Sequence, residues 1–192
     1  DDGDVDMFVL NQDGASRYYD NLRQGYFADI TGSVGLNFVG QPSTVVSGDY
    51  NNDGYFDLFI ADLGGEQHAI FQNKGDGTFI KDEPSLSAID GLTGFVIIQA
   101  DFADVDNDGY LDLFLTNTNV NKLYKNSGAG SFHLVSTAMD SHIDFHSAAA
   151  VFADLDLEGD LDLFIATESE NQLYRNNSDG TFTEIGKNAD VT

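Results

Sequence analysis

The sequence contains no cysteine, so disulfide bonds and thiolate metal sites are both excluded. It also lacks an apolar run of about 18 residues, which a membrane-spanning helix would need. Basic residues are scarce, because 8 Lys and Arg stand against 33 Asp and Glu and leave a formal net charge of −25. Such a surface repels nucleic acid and anionic lipid. We therefore expect no nucleic-acid partner and no insertion into a membrane.

What the sequence has instead is a set of short acidic segments. The segment GDYNNDGYFDLFIAD (48–62) recurs as ADVDNDGYLDLFLTN (103–117) and ADLDLEGDLDLFIAT (153–167), and a truncated copy, DDGDVDMFVLNQ, opens the chain. Numbered from the first acidic residue, oxygen-bearing side chains fall at positions 1, 3, 5 and 9, with glycine at position 6. In the three complete copies these side chains are Asp49, Asn51, Asp53 and Asp57; Asp104, Asp106, Asp108 and Asp112; and Asp154, Asp156, Glu158 and Asp162.

This spacing predicts calcium sites. Side chains at positions 1, 3 and 5 converge when the chain curls at the glycine, and calcium takes six to eight oxygen ligands at about 2.3–2.6 Å. Carboxylates this close cannot all stay ionised without a counter-ion. We therefore expect about three structural Ca²⁺ ions, with a backbone carbonyl at position 7 as a further ligand. An EF-hand is excluded, because its bidentate Glu at position 12 is replaced here by Ile60, Leu115 and Ile165.

The acidic segments belong to a larger internal repeat. Their glycines are 51, 55 and 50 residues apart, and each is followed by an aromatic-x-Asn pattern that ends in Gly and Phe, as in LYKNSGAGSF. β-Branched and aromatic residues dominate each unit, and tight-turn sequences divide it into four short strands. Four antiparallel strands per repeat are typical of a propeller blade. The sequence thus predicts an all-β fold of about four blades within a larger propeller or array, with repeats at approximately 1–40 (lacking its first strand), 41–92, 93–143 and 144–192.

The D-x-[DN]-x-[DE]-G-x-x-D-L-F loop between strands resembles the calcium-binding FG-GAP or VCBS repeat, which occurs in integrin α-subunit propellers and many secreted bacterial proteins. By that resemblance, the loop joins the innermost strand of a blade to the second strand. Asn51 and Glu158 are mild departures from the pattern, and the longer side chain of Glu158 is expected to loosen its site. The first copy keeps only Asp2 and Asp6, so we expect a weak or incomplete metal site there.

The histidines are not assigned a function. His142 and His146 are four residues apart in a segment that leads into a predicted strand, where this spacing places them on one face. His68 and His133 stand alone in the sequence and are expected at the surface.

Other candidate residues are interpreted structurally. Tyr124 and Tyr174 are expected to pack within the blades, with stacking against a sugar between blades as the alternative. Asn176 begins an N-glycosylation pattern in a hairpin turn, where we expect it to be accessible. No nucleophile, base and orienting group can be combined from the sequence, so no catalytic residue is predicted.

The repeats are incomplete at both ends, since the first unit lacks its innermost strand and the last ends in FTEIGKNADVT. Three interpretations remain open, of which the first is favoured. The chain is a segment of a longer propeller or array. Alternatively, residues 186–192 close a four-bladed ring. In the third interpretation, a neighbouring copy donates the missing strand and builds a homo-oligomer or filament.

The function that these observations favour is a non-catalytic, calcium-binding propeller module of an extracellular or cell-surface protein. It would act in adhesion or assembly through a protein or glycan ligand at the cell surface. Calcium outside the cell would keep such loops filled, because extracellular modules bind it with dissociation constants of about 10⁻⁴–10⁻³ M. One alternative is a carbohydrate-binding, lectin-like propeller. Another is an accessory or catalytic domain of a polysaccharide-degrading enzyme.

Overall fold

The computed structural model describes residues 3–128, 130–135 and 147–189. Within these ranges the chain forms fifteen strands in four antiparallel sheets, together with three short helices. Sheet 1 contains three strands that pair in chain order: β1 (Met7–Val9), β2 (Arg17–Asn21) and β3 (Phe27–Asp29).

Sheets 2, 3 and 4 each contain four strands that also pair in chain order. Sheet 2 consists of β4 (Pro42–Gly48), β5 (Asp57–Asp62), β6 (Ala69–Asn73) and β7 (Phe79–Lys81). Sheet 3 consists of β8 (Ala100–Ala103), β9 (Asp112–Leu115), β10 (Lys122–Asn126) and β11 (Phe132–Leu134). Sheet 4 consists of β12 (Ser147–Ala153), β13 (Asp162–Thr167), β14 (Gln172–Asn176) and β15 (Phe182–Glu184). This up-and-down order is that of propeller blades, and it confirms the predicted fold class.

The sheets are stacked face to face, and the second strands of sheets 2 and 3 each contact both neighbouring sheets. Successive side chains of a strand point to opposite faces. In β5, Phe59 packs into the core shared with sheet 3, whereas Ile60 packs into the core shared with sheet 1. In β9, Leu113 packs towards sheet 2 and Phe114 towards sheet 4. Because both faces are covered, these strands are apolar throughout, and each buried side chain stabilises the fold by about 1.5–3 kcal/mol.

The first strands of sheets 2, 3 and 4 are neighbours along one side of the array. Gln99, just before β8, links two of them through its side chain. Its Nε2 donates to the carbonyl oxygen of Ala150, and its Oε1 accepts from the amide of the same residue, both at 2.9 Å. The side chain thus replaces one step of a strand ladder between sheets 3 and 4.

A short helix follows the last strand of sheets 1, 2 and 4: α1 (Thr31–Val34), α2 (Glu83–Ala88) and α3 (Gly186–Ala189), respectively. Asp82 caps α2 by accepting a hydrogen bond of 3.1 Å from the amide of Ser85. Gly35 ends α1 at φ 81°, where an added Cβ would lie 2.4 Å from the carbonyl oxygen of Phe79, so only glycine fits. None of the helices within the described ranges is long and apolar enough to cross a membrane.

Candidate metal-binding loops

Three acidic loops connect the first strand to the second strand of their sheets, as the resemblance implied. We name them loop 2 (residues 49–57), loop 3 (104–112) and loop 4 (154–162), after the sheets that carry them. The first strand ends just before position 1, and the second strand begins at position 9. The position-9 aspartate is therefore anchored in the sheet, while positions 1 to 8 form the turn.

Hydrogen bonds within the loops close the turn on the position-1 aspartate. In loop 3, Oδ1 of Asp104 accepts from the amide of Asp108 at 3.0 Å, and its Oδ2 accepts from that of Gly109 at 2.9 Å. Asp49 makes the same two contacts in loop 2, at 3.0 and 2.8 Å. The position-6 glycines have φ between 88° and 90°, a conformation that favours glycine. In loop 4, the corresponding contact is the 3.2 Å bond from the amide of Gly159 to Asp154.

Loop 3 brings three carboxylates into a cluster that could hold a metal ion. One oxygen each of Asp104, Asp106 and Asp108 lies within 4.8 Å of the other two. Oδ1 of Asp106 is buried and has no hydrogen-bond partner. Loop 2 presents Asp49, Asn51 and Asp53 at the same three positions, so an amide replaces one carboxylate. Oxygen-only donor sets of this kind suit calcium better than zinc, which prefers nitrogen and sulfur ligands.

The position-9 aspartates are the most deeply buried carboxylates of the loops. Asp57, Asp112 and Asp162 are 0%, 1% and 3% exposed. Burial raises the pKa of Asp57 to about 7, with Asp53 and Asp49 adding repulsion, and burial likewise raises the pKa of Asp112 to about 6. Oδ2 of Asp57 has no hydrogen-bond partner. A bound cation beside these groups would lower their pKa and supply the missing partner.

Sequence reasoning missed the asparagines that hold these aspartates. The backbone amide of Asn126 donates to Oδ1 of Asp112 at 2.7 Å, and the amides of Asn73 and Asn176 make the same bond at 2.8 and 2.9 Å. The sequence shows this asparagine in every aromatic-x-Asn motif. Its constant place in the repeat was the signal that could have identified it.

The first copy of the motif is only partly described. Asp6, its position-9 residue, accepts from the amide of Asn21 at 3.1 Å and from the hydroxyl of Tyr18 at 2.9 Å. Asp2 lies outside the described residues. The expected weak site therefore remains a prediction.

A second missed feature is the side chain that approaches loop 2 and loop 3 from the third strand of the same sheet. In sheet 2, Nε2 of Gln72 donates to Oδ2 of Asp53 at 3.1 Å. In sheet 3, Nζ of Lys125 forms an ion pair with Asp106 and lies 3.3 Å from Oδ2 of Asp108. Both residues occupy the middle position of the aromatic-x-Asn motif.

His68 corrects one sequence prediction, since it is buried rather than at the surface. Its Nδ1 accepts from the amide of Asp62 at 3.0 Å, so Nε2, 3.1 Å from the carbonyl oxygen of Phe95, carries the proton. Burial lowers the pKa of this imidazole. His133 is exposed, as predicted. His142 and His146 lie outside the described residues.

The two candidate sugar-stacking tyrosines are also buried. Tyr124 is 0% exposed and Tyr174 2% exposed, and both belong to the cores between sheets. The hydroxyl of Tyr124 donates to the carbonyl oxygen of Asp90 at 2.8 Å. Neither ring can stack on a sugar in this fold, which leaves the packing interpretation.

Asn176 is likewise less accessible than the sequence suggested. It is 4% exposed. Its Nδ2 donates to the carbonyl oxygens of Val105 and Leu161 at 2.7 and 3.1 Å. The amide nitrogen to which a glycan would be attached is therefore hydrogen-bonded inside the folded chain.

A small cleft lies between the β5–β6 connection and the segment that leads from sheet 2 to sheet 3. Its volume is about 170 Å³. Polar and apolar side chains line it together: Glu66, His68, Ser87, Thr93, Leu86 and Leu92.

Comparison with known proteins identifies a repeat family and relatives in fold. The model of the FG-GAP-like repeat matches residues 1–60, 49–115, 104–165 and 154–191. A solved structure described as an Agrocybe aegerita lectin, with specific recognition of non-reducing terminal N-acetylglucosamine, superposes with a TM-score of 0.63 at 18% identity. The match covers 93% of this chain and 47% of that one, so this chain spans about half of the lectin's length. No curated protein sequence matches.

Proposed function

Because this chain belongs to the FG-GAP-like repeat family, we propose that it is a non-catalytic, calcium-binding β-propeller module of an extracellular or cell-surface protein. The observation that carries the proposal is the buried Oδ2 of Asp57, which lacks a partner in a loop already lined by Asp49 and Asp53. A divalent cation bound by oxygen ligands removes both the repulsion and the unpaired atom. Calcium fits this donor set best.

The residues that would hold calcium are those at positions 1, 3, 5 and 9 of the three complete loops. Loops 2 and 3 form the same hydrogen-bonded curl, so both are prepared for the ion. Loop 4 contributes Asp154, Asp156, Glu158 and Asp162. When bound, the ion supplies positive charge and oxygen coordination. The loops supply the pre-formed turn and the anchored aspartate.

The role we assign to calcium is structural. Each loop lies where the first and second strands of a sheet meet, and the position-9 aspartate begins the second strand. Closing the loop would hold these strands together and suppress repulsion among acidic groups in a chain of net charge −25. A ligand present at 100 times its dissociation constant stabilises the folded state by about 2.7 kcal/mol per site.

We place the module outside the cell, in adhesion or assembly, with a protein or glycan partner at the cell surface. Calcium there suffices for sites of modest affinity, whereas cytosolic concentrations fill only the tightest sites. The acidic surface also disfavours nucleic acid as a partner.

The test combines calorimetric titration with calcium and thermal unfolding in calcium or chelator. We expect about three bound ions and a melting temperature that falls markedly on chelation. Asp112→Asn should remove binding at loop 3, because position 9 loses a charged ligand. Asp179→Asn is the matched control, since Asp179 is an exposed hairpin acid outside the loops. A melting temperature indifferent to chelator would refute the proposal.

A second candidate function is carbohydrate binding. The likeness to the Agrocybe aegerita lectin favours it, as does the cleft of about 170 Å³ with Glu66, Ser87 and Thr93 among its lining residues. Glycan-array binding that is lost in Glu66→Gln and kept in Glu170→Gln, an exposed control, would support this function. Binding that survives Glu66→Gln would show that the sugar binds outside the cleft. If no glycan binds, carbohydrate binding is ruled out and only the calcium-binding module remains proposed.

A further inference from the structure

One position in the repeat places different chemistry against loop 2 and loop 3, which also differ at position 3, where Asn51 stands against Asp106. The position that carries this chemistry is the middle residue of the aromatic-x-Asn motif on the third strand of a sheet. It is Gln72 in sheet 2, where a neutral amide donates to Asp53. In sheet 3 it is Lys125, whose ammonium group contacts Asp106 and lies 3.3 Å from Oδ2 of Asp108. The two loops therefore meet a neutral and a charged donor.

The lysine reaches the oxygens that calcium would use. Asp106 and Asp108 occupy positions 3 and 5 of loop 3, and both belong to the cluster of three carboxylates. The side chains of Asp106, Asp108 and Lys125 are 14%, 32% and 40% exposed. Ion pairs that are partly withdrawn from water are screened less than surface pairs. The contact thus partly neutralises the cluster without any metal.

Resting on the calcium role proposed above, we propose that Lys125 is an internal cation that competes with calcium for loop 3. Among the described residues no cationic side chain forms an ion pair with the acids of loop 2, because Gln72 is neutral and Lys74 reaches only the Oε1 of Gln72, at 3.5 Å. Loop 3 therefore fills at a higher calcium concentration than it would with a neutral side chain in place of Lys125. Without calcium, Lys125 holds loop 3 together, whereas the acids of loop 2 repel one another.

Competition by Lys125 lowers the calcium affinity of loop 3. Calcium at loop 3 has to displace the ammonium group from two carboxylates, and the displaced group remains close as a like charge. Couplings of this kind change affinity by about fivefold to 150-fold. Arg175 occupies the equivalent position in sheet 4, but it is exposed and makes no ion pair within the described residues, so loop 4 is not included.

The position-6 glycines allow each loop to be followed separately. In a calcium titration observed by amide NMR, Gly54 reports on loop 2 and Gly109 on loop 3. Lys125→Gln copies Gln72 and should lower the calcium midpoint of Gly109 by about fivefold or more, with that of Gly54 unchanged. Gln72→Lys should raise the Gly54 midpoint by a similar factor.

Two controls separate charge at this position from other effects. Lys125→Arg keeps the charge and should leave the Gly109 midpoint near that of the unmodified chain. Lys81→Gln removes a lysine that pairs with Glu83 on the surface and should change neither midpoint. Lys125→Gln should also lower the melting temperature in chelator but not in saturating calcium. A purely structural lysine would not produce this dependence on calcium.

Failure of this inference and failure of the calcium proposal on which it rests give different results. If Lys125→Gln leaves the Gly109 midpoint within about twofold of the unmodified chain, the inference is wrong while calcium binding stands. If neither glycine responds to calcium in any variant, the calcium proposal itself is wrong, and the inference fails with it. Should Lys125→Gln not fold, Gln72→Lys decides, because an unshifted Gly54 midpoint in that variant overturns the inference.

Discussion

The side-chain amide of Asn126 donates a hydrogen bond of 2.7 Å to the carbonyl oxygen of Tyr50, which belongs to the acidic loop of the preceding sheet. The backbone amide of the same asparagine donates to Asp112 in its own loop. One residue therefore supports two neighbouring loops. Asn176 repeats the arrangement between loops 3 and 4, through Val105 and Asp162.

Asn126→Ala should weaken both loops that the asparagine contacts. The substitution leaves the carbonyl oxygens of Tyr50 and Leu111 without their donor, and an unsatisfied buried polar group costs about 1–3 kcal/mol. We expect a loss of this size in urea unfolding with calcium present. Asn177→Ala removes an exposed amide next to the equivalent position of sheet 4 and should cost less than about 0.5 kcal/mol. Equal stability of the two variants would contradict the prediction.

Asp57→Asn should change stability in opposite directions with and without calcium. In chelator, the native pKa of Asp57 is about 7, above its unfolded value of 3.8. The native state thus holds a proton that the unfolded state loses, and stability falls as the pH rises from about 4 to 7. The amide cannot ionise, so the variant should lose less stability over this range. With calcium at pH 7.5, the variant should be the less stable protein.

The measurement for Asp57 is urea unfolding of both proteins at pH 5 and pH 7.5, in chelator and in calcium. Asp179→Asn serves as the control, because it removes an exposed acid that lies outside the loops. A variant that matches the parent at both pH values in chelator would show that Asp57 does not titrate as the structure predicts.

His68→Gln should reduce the sensitivity of the protein to mild acid. Burial lowers the native pKa of His68 below its unfolded value of 6.5, against the opposing effect of Asp62. The unfolded state then binds a proton that the native state does not, so stability is complete above pH 6.5 and falls as the pH drops below it. Glutamine carries no titrating group. The difference in unfolding free energy between the two proteins should shrink from pH 7.5 to pH 5, and a constant difference would count against a neutral, buried imidazole.

A residue swap between repeats tests how position 7 of each loop packs on its hairpin. In sheet 2, an added Cβ on Gly75 would lie 2.3 Å from the ring of Tyr55. In sheet 4, the hydroxyl of Ser178 instead donates to Asp160. Gly75→Ser should therefore cost about 1–3 kcal/mol, because the left-handed φ of 72° strains a side chain and the ring of Tyr55 has to move. Adding Tyr55→Asp copies the pair of sheet 4 and should recover at least about 1 kcal/mol.

The readout for the swap is the coupling energy from a double-mutant cycle in urea, with calcium present. Because the pairs differ between sheets while the backbone is alike, the two substitutions should be strongly non-additive. Additive effects would show that the side chain at position 7 of the loop and the hairpin residue opposite it do not interact energetically.

The parts of the site that were predicted depend on short stretches of chain. The curl of loop 3 is closed by bonds between residues four and five apart, from Asp108 and Gly109 to Asp104, and a spacing pattern contains this information. The buried strands were equally predictable, since apolar residues follow each loop directly, as Phe59 and Ile60 follow loop 2. Lys125 could not be predicted as a partner of loop 3, because its approach depends on the register of β10 against β9.

The sequence by itself determined the four-strand repeat and the acidic loops, because turns, strands and chelating side chains arise from residues within about ten positions of one another. The tertiary structure alone decided that His68 is buried, that Tyr124 packs in a core rather than facing a sugar, and that Asn176 is buried. Their partners Phe95, Asp90 and Val105 are 27, 34 and 71 residues away, and only the stacking of neighbouring sheets brings them into contact.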